Sequence, residues 1–179
     1  KIGTSLLTPP GDAVGSRRFG SFAKQIAAEI AGRSEIVLVA SGAVGLGTRR
    51  LGLAQRPRSI PGKQAAAAVG QIDLCRRFER AFAREGLLVG QMLLDHAGFA
   101  DRERFLNARR TLAQLLADGV VPIINENDSV ATEELRFGDN DQLAAQVVNT
   151  CGAELLILLT DIVGLHDRDD VARPRRAAR

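Results

Sequence analysis

Tryptophan and tyrosine are absent from the 179 residues, phenylalanine occurs only seven times, and there are two cysteines and two histidines. Each scarcity excludes something. Single-strand nucleic-acid platforms stack bases on aromatic side chains set among basic ones, and no such stripe occurs, so no nucleic-acid partner is expected. Cys75 and Cys151 lie far apart, and His96 and His166 are not placed to join them. The sequence thus offers no metal-ligand set of its own, and both cysteines are expected to be small buried hydrophobes. No apolar run approaches the roughly 20 residues that span a bilayer. The opening KIGTSLLTPP lacks the apolar stretch of a secretory signal, which makes a cytoplasmic location the default. Neither a G-x-x-x-x-G-K-[ST] loop nor a dinucleotide fingerprint is present, so any phosphate would need a different cradle.

The net charge of +3 is concentrated at one end. The stretch from His166 to Arg179 holds five arginines and three aspartates and has no apolar periodicity. Residues 166–179 are therefore expected to form a polar, disordered tail. The remainder is near neutral, and a hydrophobic fraction of 45% suits an ordinary packed domain.

Within that domain, helical patterns alternate with short apolar runs. Phe19, Phe22, Ala23, Ile26 and Ile30 share one helical face, as do Phe105, Ala108, Leu112 and Leu115, and again Leu143, Ala144, Val147, Val148 and Cys151. An alanine-rich helix is expected over 63–85. The runs 35–40 (EIVLVA), 87–94 (LLVGQMLL), 120–124 (VVPII) and 155–159 (LLILL) are expected strands, with Pro122 outside full ladder pairing. Such alternation predicts an α/β fold with a parallel sheet covered on both faces.

Ligands of open α/β sheets bind beyond the carboxyl ends of the strands. Four polar clusters fall there: KIGTS (1–5), SGAVGLG (41–47), NEND (125–128) and Thr160–Asp161. Gly3, Gly42, Gly45 and Gly47 would let backbone N–H groups approach an anion, although tight strand-to-helix turns explain them equally well. In GDND (138–141), Asp139, Asn140 and Asp141 suit a helix start. Together with Glu126 and Asp128 they would also gather carboxylates that need a cation, whether Mg²⁺, a lysine such as Lys1 or a substrate ammonium.

KIGTS, VASGAVGLG, KQAAAAVGQ, VGQMLL, DRERFLNARRTL, VPIINENDSVAT, FGDNDQLAA and LLTD occur in this order. From residue 1 to about residue 165 the chain resembles the glutamate 5-kinases of the amino acid kinase superfamily. The resemblance implies a three-layer α/β/α sandwich with a mainly parallel central sheet, of which 1–165 would be the amino-terminal part, incomplete at the carboxy end. It implies transfer of the γ-phosphoryl of ATP to the γ-carboxylate of L-glutamate with Mg²⁺, the first step of proline biosynthesis. It also implies a homo-oligomer, with proline as a feedback inhibitor. Lys1 matches the lysine that contacts ATP phosphates, beside Gly3 and Gly42. Ser41, Asn125, Asp128 and Asn140 match glutamate-binding positions. Thr160 and Asp161 match the start of the nucleotide pocket, and Asp139 and Asp141 the acidic pair that organises catalytic lysines and metal. The family's second half, with a further catalytic lysine, has no counterpart here, so the chain alone is expected to be inactive. A non-catalytic glutamate-binding or assembly domain, or a kinase for another acid, are the competing readings.

Overall fold

The computed structural model describes residues 1–7, 16–130 and 140–160. Three strands, β1 (Leu38–Val39), β2 (Leu88–Leu94) and β3 (Val120–Glu126), form a parallel sheet in the order β1-β3-β2. Two further segments extend it. Ile2 bridges in parallel to Ala40 on one side and to Leu159 on the other. The backbone nitrogens of Ile2, Gly3 and Leu159 donate to Val39, Leu159 and Lys1 carbonyls respectively, at 2.9, 3.2 and 2.9 Å. The opening residues thus hold a central position in the sheet, between β1 and the 155–159 run.

Seven helices occur among the described residues: α1 (Thr4–Leu7), α2 (Ser16–Ala31), α3 (Ala43–Arg50), α4 (Ile60–Ala83), α5 (His96–Ala100), α6 (Arg102–Ala117) and α7 (Asn140–Cys151). The two-residue period of each strand divides them between two faces. Leu38, Val121 and Ile123 point to one face, where Phe19 and Ala23 of α2 and Leu74, Phe78 and Phe82 of α4 pack. Phe19 meets Phe78 edge-on at 4.8 Å between centroids. Val39 and Ile124 point to the other face and meet Leu112 of α6 and Leu143, Ala144 and Val147 of α7. These are the three expected layers, and every residue of the helical faces read from the sequence is buried or partly buried.

Pro122 stands outside full ladder pairing, as expected, and one other expectation needs correction. Pro122 lies within the central strand and is paired in register with Gly90. The Ile124 carbonyl accepts from Ala40 on the β1 side. Residues two apart in a strand point the same way, so the donor that Pro122 lacks faces β1 before its pairing begins at Leu38. The run 155–159 is not a full strand. Only Leu159 forms a bridge, and Leu155, Ile157 and Leu158 are exposed, with nothing among the described residues covering their outer side.

Helix α3 lies against α4 at backbone contact. A Cβ at Gly47 would collide with the Ala66 carbonyl, and one at Gly70 with the Ala43 carbonyl and the Gly47 nitrogen. This close approach seats α3, and with it the 41–43 turn, over the start of α4. Gly70→Ala should destabilise the fold by about 3 kcal/mol or more, since backbone cannot give way as a side chain can. Gly20→Ala, in the interior of α2 with open space around it, should instead stabilise by about 0.5–1 kcal/mol. Chemical denaturation of the two variants checks this; equal stabilities would refute the close contact.

Candidate functional site

The carboxyl ends of the central strands converge on one amide. Asn140, the first residue of α7, is buried. Its Nδ2 lies 2.8 Å from each of the Ala40 carbonyl, the Ser41 hydroxyl and Asn125 Oδ1. The physical origin is legible in β3: Asn125 continues the face presented by Val121 and Ile123, one step past the apolar run. There it meets Gln71 of α4 instead of a hydrocarbon, donating from Nδ2 to Gln71 Oε1 at 2.8 Å. Four separate stretches of chain are joined through neutral polar groups that are almost wholly shielded from water.

Lys1 stands next to this cluster. Its Nζ is 2.6 Å from Asp141 Oδ1, with the lysine side chain 11% exposed and the aspartate 54%. A Cβ on Gly3 would lie 3.9 Å from Lys1 Nζ, so the ammonium sits over the glycine turn. Gly42 adopts φ 113°, a conformation that strains any L side chain. It starts α3 without a side-chain cap and packs against Thr4. The KIGTS and SGA turns therefore face each other across the sheet end, with helix amino termini and one lysine directed to the same region.

A second feature is a cleft of about 200 Å³ lined by Gln71, Ile72, Gln91, Leu93, Glu126 and Asp128, among others. That volume suits a small metabolite better than a nucleotide. Burial pushes the Asp128 carboxyl up to about 6; the neighbouring Glu126 charge adds to the rise and Arg56 opposes it. Asp128 is not hydrogen-bonded to Ser41, Asn125 or Asn140 among the described contacts; it reaches the cluster only through the cleft wall. Cys75 is not the inert hydrophobe expected. Its Sγ donates to Gln91 Oε1 at 2.7 Å and accepts from Gln71 Nε2 at 3.5 Å. Burial raises its pKa, against the Gln71 hydrogen bond. Cys151 does pack against the apolar cluster under α7, as expected.

Of the residues singled out from the sequence, Ser41, Asn125 and Asn140 form one hydrogen-bonded unit, and Lys1, Asp141, Gly3 and Gly42 surround it. Thr160 is exposed beyond Leu159. Asp139 and Asp161, the 166–179 tail and most of the segment between the acidic motifs lie outside the described residues. Among the described residues no group of three or more His, Cys, Asp or Glu side chains could hold a metal ion, and no helix is long and apolar enough to cross a membrane. Gln71 and Gln91 went unselected. The available signal was a glutamine in the alanine-rich stretch and another in a strand, both at positions where the flanking pattern calls for apolar residues.

The amino acid kinase family model matches residues 1–176. The chain belongs to the amino acid kinase family. It is 51% identical over 174 residues to a glutamate 5-kinase of Ralstonia nicotianae, covering 97% of this chain and 46% of that protein. It is 52% identical over 169 residues to glutamate 5-kinases of Burkholderia cenocepacia and Burkholderia multivorans, covering 94% of this chain and 45% of each. The chain spans about half the length of the curated relatives it matches.

In this amino acid kinase chain the raised pKa of Asp128 has a definite sign. A carboxyl held at about 6 in the fold, against 3.8 ordinarily, favours the protonated native state. That stability is fully present below pH 3.8 and is lost as pH rises through 6. Asp128→Asn should therefore match the parent near pH 4 and exceed it by about 1–2 kcal/mol at pH 7.5, a range that allows for partial solvent screening. Denaturant midpoints at the two pH values test this; a constant difference would show that burial does not govern this carboxyl.

Proposed function

We propose that this chain forms the acid-substrate side of an ATP-dependent carboxylate kinase, with L-glutamate as the acceptor. The observation that carries the reading is the Ser41–Asn125–Asn140 cluster at the strand ends. It offers neutral hydrogen-bonding groups beside Lys1, with the Asp128 carboxyl on the adjoining cleft wall. The relatives named glutamate 5-kinase supply the substrate.

The chemistry suits these groups. A carboxylate acceptor is already ionised at neutral pH and needs no general base. The obstacle is bringing it to a polyanion, so positioning and positive charge do most of the work. Ser41 and Asn140 would orient the substrate carboxylates. Asp128 would take its ammonium, which would favour the charged form of the carboxyl. Lys1, with Asp141 fixing it, would face the phosphates together with the N–H groups near Gly3 and Gly42. Thr160 would stand at the border of the nucleotide pocket. Mg²⁺ fits as an ion brought by the nucleotide phosphates, as is usual for this cation. The charged substrates accord with a cytoplasmic setting.

In the full-length enzyme, Asp128→Ala should raise the KM for glutamate tenfold or more while leaving that for ATP within about twofold, the pattern of losing a charged contact to one substrate. Lys1→Ala should lower kcat roughly 10²-fold, the scale of removing one preorganised charge stabiliser. Acyl phosphate trapped as the hydroxamate provides the assay. Equal changes in both KM values, or kcat intact in the lysine variant, would reject these roles.

A further inference from the structure

We infer that Gln71 is a positioning residue: it fixes the amide orientation of Asn125 and, through it, of Asn140. The inference rests on reading this cluster as the acid-substrate site, but its physical basis is separate. The Ala40 carbonyl can only accept, so the nitrogen of the Asn140 amide must be the atom beside it. That nitrogen donates to Asn125, whose Oδ1 must face it. Asn125 Nδ2 is then turned towards α4, where Gln71 offers Oε1. Gln71 Nε2 in turn meets Cys75 Sγ, and the thiol hydrogen goes to Gln91 Oε1.

The donors run one way, from α7 through β3 and α4 to β2. Reversing the Asn125 amide would set nitrogen against nitrogen at Asn140 and oxygen against oxygen at Gln71. Removing Gln71 deletes one of those two penalties and leaves the buried Asn125 nitrogen without its acceptor, which costs more than the bond itself contributes. Asn125 would then rotate, and Asn140 would lose one of the three acceptors that hold it. Gln71 lines the same cleft as Asp128, so the helix that carries it joins the amide cluster to the cleft wall.

The test uses the intact protein and two readouts. In Gln71→Met, similar in length but without hydrogen-bonding capacity, the side-chain amide signals of Asn125 and Asn140 should shift and exchange with solvent at least tenfold faster. Glutamate KM should rise about tenfold, with kcat and the ATP KM within twofold. Gln71→Glu keeps an acceptor for Asn125 while losing the donor to Cys75 and adding a charge to the cleft, so the two asparagine signals should return towards the parent positions. Should the methionine variant fail to fold, Gln71→Leu, which likewise offers Asn125 no acceptor, takes its place and should give the same displacement. Asparagine signals unchanged in Gln71→Met, or in Gln71→Leu where that variant stands in for it, overturn the inference. Signals that move in a protein that does not phosphorylate glutamate uphold the positioning role and reject the substrate assignment instead.

Discussion

Everything at the carboxyl end of this sheet is referred to one buried amide nitrogen. Asn140 Nδ2 lies 2.8 Å from three oxygen acceptors that share its two hydrogens, one of them a backbone carbonyl that cannot change its role. A buried amide that loses such partners forfeits its desolvation cost as well as the bonds. The first turn of α7 is therefore pinned to the ends of β1 and β3 at the point where Ser41 and Asn125 emerge. A charged group in the same position would need a permanent counter-charge; a neutral amide fixes geometry without deciding the charge of what binds nearby.

The layers explain how that amide comes to be there. Helices α2 and α4 cover one face of the sheet and α6 and α7 the other. Residue Asn125 projects to the α4 face while Asn140 arrives from α7 on the opposite side, so the two layers touch only past the last apolar residue of β3. The backbone contact of Gly47 and Gly70 with their neighbours sets the depth of α3 on the α4 side. That depth in turn sets the height of the Gly42 turn above the sheet. Site geometry is thus a consequence of small residues in a helix contact as much as of the polar residues themselves.

The pattern of apolar residues foretold the layers because hydrophobic period maps directly onto burial. Phe19, Leu112 and Leu143 lie where their spacing puts them. Ser41 and Asn125 were placed past apolar strand runs and Asn140 at a helix start, and that is where they stand, because a parallel sheet allows few other places for polar residues that follow an apolar run. Pro122 was read as outside full ladder pairing because proline brings no donor to any strand, although which neighbour goes unpaired is not encoded locally. Run 155–159 was read as a full strand from its hydrophobicity, but pairing requires a partner ladder, and Ile2 supplies only a short one. Gln71 was overlooked and Cys75 taken for a plain hydrophobe for a related reason: a hydrogen-bonded chain across α4 and β2 depends on register between elements, and no spacing along one helix reveals it.

Lys1 shows how a paired charge can still serve a second one. The ammonium is largely buried, and its ion pair with the half-exposed Asp141 offsets the loss of water on one side only. The ammonium has three N–H groups, and one carboxylate oxygen takes only one of them, leaving two. An isolated lysine over the Gly3 turn would sample many rotamers and stay solvated. Tied to Asp141, it is held in one direction beforehand, so that an anion reaching the glycine turns meets a cation that need not reorganise. Preorganisation of this kind is where electrostatic stabilisation gains its strength. In the reading proposed here, Asp141 acts on phosphoryl transfer by fixing the lysine, and its own partial exposure keeps the pair from becoming so tightly closed that an incoming phosphate could not share it.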